Sequence, residues 1–367
     1  MKIDHIHFYV EDASASRDWF VNHMGFQALV SARSSDTCTT VVKCGAVTIV
    51  LSSPLISTSP VAQFLRLHPP GVADLGFVVS DLKAVMERAI AHGAKVLQPL
   101  TRKSGKWSRI VAWGSLSHTF VERTGNSPLP AIFSDSEFTT EFVNPSGTQG
   151  ELSLNETCDS GLFTDIDHVV LNVAVGDLER ALSWYEEVLG FQRQQTFTIQ
   201  TEQSGLVSQV LVHPESGLQF PINEPTSASS QIQEFLEINQ GPGIQHIALQ
   251  TPKIVGAIAK LRKLGLLFLP IPPSYYTELG LRYPQLHLSA TELEEISAQE
   301  ILVDWHKESP QALLLQTFTQ PIFQQPTFFF ELIERRQQAQ GFGEGNFRAL
   351  FEAIEREQIK RGSLPLR

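Results

Sequence analysis

Residues 326–335 read Pro-Thr-Phe-Phe-Phe-Glu-Leu-Ile-Glu-Arg, a run of β-formers with one acid at its centre. A period of two places Phe329, Glu331 and Ile333 on one face and Phe328, Phe330 and Leu332 on the other. Both faces are apolar, so the strand is expected to be covered on both sides, with Glu331 enclosed. An enclosed carboxylate is costly unless it is neutralised, capped by amides or placed on a cation.

Other apolar patterns recur as a repeat. Ile3-Asp4-His5-Ile6 is followed by Trp19-Phe20 and Gly25-Phe26, and Ile166-Asp167-His168-Val169 by Trp184-Tyr185 and Gly190-Phe191. Trp to Gly spans six residues in both copies. In the second copy Leu178, Ala181, Leu182, Tyr185 and Leu189 form a helical stripe, and the glycine is placed to stop the helix. A second pair of segments runs from Asp74 to Gly93 and from His246 to Gly265, 19 residues in each case. One strand, one helix and about three strands therefore occur four times. This predicts an α+β fold of two tandem domains, each two βαβββ units forming an open barrel-like sheet with helices outside.

The domains are expected at residues 1–150 and 162–358, joined by the polar, aperiodic stretch 144–162. Residues 284–310 read as an insertion or a short surface helix before a strand over 313–318. Asn346 is the expected N-cap of a final helix whose apolar face is Phe347, Leu350, Phe351 and Ile354. Residues 363–367 are expected to be disordered.

Composition narrows the function. The chain has 367 residues and is 42% hydrophobic, enough for two full cores. No apolar run approaches the ~20 residues of a membrane span, and Met1-Lys2-Ile3 reads as the start of a strand rather than a signal peptide. Cys38, Cys44 and Cys158 are too widely spaced for a disulfide framework or a zinc cluster, so a reducing cytoplasm is expected. A net charge of −11 argues against nucleic acid as a partner. Several of the 23 phenylalanines gather near the C-terminus, where they would line a pocket or pack a core.

Two histidines occupy equivalent places in paired repeats. His168 shares a strand face with Val170 and Asn172, and His246 with Ala248 and Gln250. A single histidine on an apolar strand is more often a satisfied core residue. If pseudo-twofold packing joins these two with Glu331, two imidazoles and one carboxylate leave about three positions open on an octahedral metal. Non-haem Fe(II) suits that set, and zinc competes for it, although the His-Glu-x-x-His of zinc hydrolases is absent. In the first half His5 matches His168, Asp74 falls where His246 stands, and Thr119 where Glu331 stands. One metal per chain is therefore expected, with His5 a structural residue.

The second half resembles the 4-hydroxyphenylpyruvate dioxygenase family of the vicinal-oxygen-chelate superfamily. The matching pieces keep their order over residues 165–356. They are Asp167-His168-Val169-Val170-Leu171-Asn172, Phe220-Pro221-Ile222-Asn223-Glu224-Pro225, Ser230-Gln231-Ile232-Gln233, Gln245-His246-Ile247-Ala248, Pro273-Ser274-Tyr275-Tyr276, Leu315-Gln316-Thr317-Phe318, Phe330-Glu331 and Gly341-Phe342-Gly343-Glu344-Gly345-Asn346-Phe347. The first half is similar mainly in architecture and in short pieces such as His118-Thr119-Phe120-Val121-Glu122.

The resemblance implies Fe(II), one per chain, held by His168, His246 and Glu331. It implies a substrate site lined by Ser208, Pro221, Asn223, Gln231, Gln245, Gln316 and Asn346, with Phe318, Phe329, Phe342 and Phe347 as apolar walls. Gln231, Gln245, Gln316 and Asn223 would act in catalysis. The implied substrates are 4-hydroxyphenylpyruvate, chelating iron through its keto and carboxylate oxygens, and O2. The implied products are CO2 and homogentisate, formed by ring hydroxylation and side-chain migration, in tyrosine degradation or in tocopherol or quinone supply. A homo-oligomer is expected, and the last helix, hinged near Gly341, Gly343 and Gly345, would be a lid. Glu344 departs from the family pattern, which often has a basic residue there. Competing readings are 4-hydroxymandelate synthase, acting on the same substrate, and a non-catalytic binding module of this fold. Pro221-Ile222-Asn223 and Phe347 match the dioxygenase version.

Overall fold

A computed structural model describes residues 1–101, 106–123, 130, 139–142, 161–201, 204–282, 288–306 and 309–364. Four βαβββ units follow one another. The first is β1 (Lys2–Tyr9), α1 (Ala13–Met24), β2 (Gln27–Arg33), β3 (Thr37–Cys44) and β4 (Val47–Pro54). A short α2 (Pro60–Leu65) leads to β5 (Gly71–Val78), α3 (Leu82–Ala91), β6 (Val96–Thr101), β7 (Lys106–Val111) and β8 (Ser117–Glu122), and β9 (Thr139–Phe142) follows. The third unit is β10 (Asp165–Asn172), α4 (Leu178–Leu189), β11 (Gln192–Gln200), β12 (Gly205–Val212) and β13 (Gln219–Pro225). After α5 (Gln231–Asn239) comes the fourth, β14 (Gly243–Gln250) and α6 (Ile254–Lys263), then the inserted α7 (Pro273–Arg282) and α8 (Ala290–Ala298), then β15 (Leu302–His306), β16 (Ser309–Phe318) and β17 (Phe329–Arg335). The chain ends in α9 (Phe347–Arg361).

The sheet orders are β6-β7-β8-β5-β1-β4-β3-β2-β9 and β11-β12-β13-β10-β14-β17-β16-β15. Each sheet has the first strands of its two units paired antiparallel at the centre, flanked by parallel partners. A pseudo-twofold axis thus passes through each central pair, and side chains on the inner faces of both first strands converge. β11 and β15 end the second sheet unpaired with each other, so it stays open. This is the α+β architecture of two tandem domains expected from the repeat.

Local chemistry sets the helix ends. The Asp12 carboxylate accepts from the backbone amides of Ser14 and Ala15 to start α1, and Gly25 at φ 69° ends it. Gly190, at φ 75°, ends α4 in the same way. The N-termini of α3, α4 and α6 are each met by a carboxylate from the last strand of their own unit. Glu122 accepts from Leu82 N at 3.1 Å, Glu224 from Leu178 N at 2.8 Å and Glu334 from Ile254 N at 2.7 Å. Each carboxylate ties a strand to a helix N-terminus and suits its dipole.

The alternation at residues 329–335 explains why both faces are apolar. Phe328 and Phe330 turn towards the first domain, where Phe328 meets Phe8 edge-on at 5.0 Å and Phe330 meets Phe20 at 6.1 Å between ring centroids. One hydrophobic core runs through this junction and also holds Phe26, Phe163 and Tyr185. Phe329 and Glu331 face the other way, into the second sheet.

Several expectations are corrected. The strand begins at Phe329, not Pro326. Residues 302–306 are the second strand of the fourth unit rather than insertion, because they pair antiparallel along the edge of β16 that β17 leaves free, with Leu302 opposite Gln316. Asn346 stands at the N-cap of α9 but makes no capping bond. Leu364 is buried and the Ser363 hydroxyl donates to Glu234 at 2.5 Å, so these two positions are docked rather than disordered. The expected linker at 144–162 falls mostly outside the described residues, as do 283–287, 307–308, 365–367 and the Glu344 side chain.

Candidate metal centre

His168 comes from β10, His246 from β14 and Glu331 from β17. The central pairing sets His168 opposite Ala248 and Val170 opposite His246, and the parallel pairing sets Ala248 beside Glu331. The three inward side chains therefore meet. His168 Nε2 lies 3.2 Å and His246 Nε2 3.7 Å from Glu331 Oε2, and the three residues are only 2%, 8% and 2% exposed. Glu331 Oε1 is buried with no hydrogen-bond partner among the described residues.

Each histidine is held from behind. His168 Nδ1 donates to Asp167 Oδ1 at 3.0 Å, and Arg335 grips both Asp167 oxygens at 2.7 Å. Arg335 also donates to the carbonyls of Ala339 and Gly341, at 3.0 and 2.9 Å. His246 stacks on Phe329 with 4.8 Å between centroids and 16° between planes. The Asp167 bond fixes which nitrogen of His168 faces a metal, and the stack holds the plane of the His246 ring.

Electrostatics follow from this geometry. Burial opposes charge on His168, but Glu331 and Asp167 outweigh it and raise its pKa to about 9. Burial, reinforced by the His168 charge, drives His246 well below its ordinary 6.5. Burial likewise favours a neutral Asp167, yet Arg335 and His168 hold it well below the usual carboxylate range. The proton on His168 balances Glu331, and a divalent cation would do so in its place. Two Nε2 atoms converging on Glu331 Oε2, with Oε1 left unpartnered among the described residues, fit a divalent transition metal.

The triad borders a partly open cavity, with about 660 Å³ of empty space when the part continuous with solvent is included. Ser208, Pro221, Asn223, Gln231, Gln245, Gln316, Phe318, Phe329, Phe342 and Phe347 all line it. Asn346 does not, because its Oδ1 turns away to accept from the Tyr275 hydroxyl at 2.8 Å. Further lining comes from Val170, Phe197, Ile199, Leu206 and Val210, and from Leu350, Phe351 and Ile354 of α9. Phe197 is the informative omission of the sequence reading. Its ring meets Phe347 at 5.2 Å and Phe342 at 6.3 Å, but it lies on a largely polar strand that carries no core signal. Gln231 Oε1 and Gln316 Oε1 are buried without a hydrogen-bond partner among the described residues, so the cavity offers polar atoms to an incoming group.

Comparison with known proteins agrees with this picture. Family models of the Glyoxalase/Bleomycin resistance protein/Dioxygenase superfamily match residues 4–112 and 165–282. The chain is 33% identical to a 4-hydroxyphenylpyruvate dioxygenase of Coccidioides posadasii, covering 98% of this chain and 94% of that one. It is 35% identical to one of Legionella pneumophila, covering 94% and 90%. Among solved structures, a mutant of 4-hydroxymandelate synthase from Streptomyces coelicolor superposes with a TM-score of 0.81 at 27% identity, covering 97% and 98%. With both domains matched and near full-length similarity to dioxygenases from a fungus and a bacterium, the chain belongs to the 4-hydroxyphenylpyruvate dioxygenase family.

Proposed function

We propose that this protein is an Fe(II)-dependent dioxygenase that converts 4-hydroxyphenylpyruvate and O2 to homogentisate and CO2. Residues 162–358 form the catalytic domain in this reading, and residues 1–150 support it. The observation that carries the proposal is the buried His168/His246/Glu331 set opening onto a phenylalanine-lined cavity with unpaired amide oxygens. Iron held there by His168, His246 and Glu331 would offer coordination positions to a 2-oxo acid and O2, with the 2-oxo acid itself as the reductant.

The chain supplies position and dryness. Asp167 and Arg335 hold His168, and Phe329 holds His246, so the donor atoms are set before substrate arrives. Phe318, Phe342 and Phe347 grip an aromatic ring by edge and offset contacts. Gln231 and Gln316 present oxygens that accept from a phenol, and Asn223 and Gln245 add further amides. Leu350, Phe351 and Ile354 of α9 close the side away from the triad and exclude water. α9 is the lid of this reading.

The similarity to 4-hydroxymandelate synthase favours a second reading, in which the same substrate is hydroxylated at its benzylic carbon. Pro221-Ile222-Asn223 and Phe347, both at the cavity, favour the first. Incubation with Fe(II), ascorbate, O2 and 4-hydroxyphenylpyruvate, followed by identification of the aromatic product, decides between them. Homogentisate with one O2 consumed per CO2 released is expected. A hydroxymandelate product would establish the synthase reading, and no O2 uptake would leave a binding module.

A further inference from the structure

The first domain holds a second buried cluster on the equivalent strand faces. β1 and β5 pair with His5 opposite Gly76 and His7 opposite Asp74. β10 and β14 pair with His168 opposite Ala248 and Val170 opposite His246. Asp74 thus stands in the place of His246. Thr119, beside Gly76, stands in the place of Glu331, beside Ala248. The carboxylate of the second domain is replaced by a hydroxyl, and a different third donor, His7, enters where Val170 stands. One donor atom each from His5, His7 and Asp74 lies within 4.8 Å of the others. All three residues are buried.

The orientation of these groups is specific. His5 Nδ1 donates to Asp4 Oδ2 at 2.9 Å, and Asp4 is gripped by Arg123 at 2.6 Å, as Asp167 is by Arg335. His7 Nε2 is held by Ser52 Oγ at 2.7 Å, and Ser117 Oγ donates to Asp74 Oδ1 at 2.5 Å. The remaining polar atoms of these side chains, His5 Nε2, His7 Nδ1 and Asp74 Oδ2, have no hydrogen-bond partner among the described residues. His5 Nε2 and Asp74 Oδ2 are 3.7 Å apart, too far to bond and close enough to share a cation. Leaving three such atoms buried and unsatisfied is costly. Arg109 opposes a cation but does not fill its place. Its Nε donates to Thr119 Oγ1 at 2.9 Å and lies 3.5 Å from Asp74 Oδ1, the oxygen already bonded to Ser117.

We propose that His5, His7 and Asp74 form a second metal site, buried and structural, that takes a divalent transition cation of the zinc type. Two imidazoles and one carboxylate suit such an ion, and Asp4, Ser52 and Ser117 are the outer partners that aim them. The site is independent of which metal or reaction the second domain supports. The expectation of one iron per chain then concerns the His168/His246/Glu331 triad alone, and His5 becomes a ligand rather than a structural histidine.

The test uses Zn2+ as the probe on chelator-treated full-length protein, counting metal that survives gel filtration. Wild type should retain two equivalents and His246→Ala one, and Zn2+ should raise the melting temperature of His246→Ala. Adding His7→Phe to His246→Ala should abolish both the remaining equivalent and the shift. One equivalent in wild type and none in His246→Ala would overturn the proposal, and this comparison stands even if His7→Phe fails to fold. Retention of the remaining equivalent by a folded His246→Ala/His7→Phe protein would also overturn it, because the donors would then lie elsewhere.

Discussion

Gly343 packs its backbone directly against the carboxamide of Gln316. A Cβ at 343 would overlap that side chain, and the glycine sits at φ 75°, where side chains are strained. The tail leading to α9 is therefore fitted to a cavity-lining amide. Gly343→Ala should displace Gln316 and lower kcat/KM for 4-hydroxyphenylpyruvate by at least about tenfold, the scale of one misplaced polar contact. Metal content should stay at the wild-type level. Steady-state kinetics beside metal analysis checks this, and unchanged kinetics would dismiss the fit as incidental.

Asp167 is bonded to both His168 and Arg335. Asp167→Asn keeps the size but removes the charge that aims His168 and leaves Arg335 without its buried partner. Metal affinity of the triad should fall by about 10–100-fold. Stability should drop by roughly 3 kcal/mol, as for other broken buried pairs. Metal competition with a chelator and denaturant melts read the two effects separately. An unaltered affinity would show that His168 needs no orientation from behind.

α9 is anchored by one buried acid. Glu355 Oε1 accepts from the Thr201 and Ser204 hydroxyls at 2.7 and 2.6 Å, on the turn between β11 and β12. Deleting residues 347–367 should leave metal bound through the triad while reducing turnover by orders of magnitude. Glu355→Ala should do the same more mildly and raise KM. Full activity in the truncated protein would remove α9 from the mechanism.

His118 sits between the domains, fully buried, with Nε2 3.1 Å from the Tyr185 hydroxyl. Burial lowers its pKa from 6.5 to about 4. Between these values the unfolded chain binds a proton that the folded chain does not, so stability falls as pH drops. The loss attributable to this group is roughly 3 kcal/mol by pH 4. His118→Gln cannot titrate, so its stability deficit relative to wild type should shrink by about that amount from pH 7 to pH 4. A pH-independent difference in denaturant melts would contradict the assignment.

How much was legible beforehand depended on how local each feature is. The unit boundaries were legible because helix stops such as Gly25 and Gly190 and the strand alternation act within a few residues. The triad was legible because alternation fixes the face of His168, His246 and Glu331, and the repeat supplied the axis that joins them. Residues 302–306 were misread because a strand amid acidic neighbours is recognisable only by its partner, β16. Asn346 looked like a cap, but the Tyr275 hydroxyl, 71 positions away, claimed its side chain. Phe197 joined the cavity only because the sheet curls β11 back over Phe342 and Phe347. His7 is the sharpest case. Its sequence shows that it shares a face with His5, but comparison between repeats pairs it with Val170, which donates nothing. Only the β1–β5 register sets it opposite Asp74, because a strand's faces are decided by its own backbone and its neighbours by distant chain.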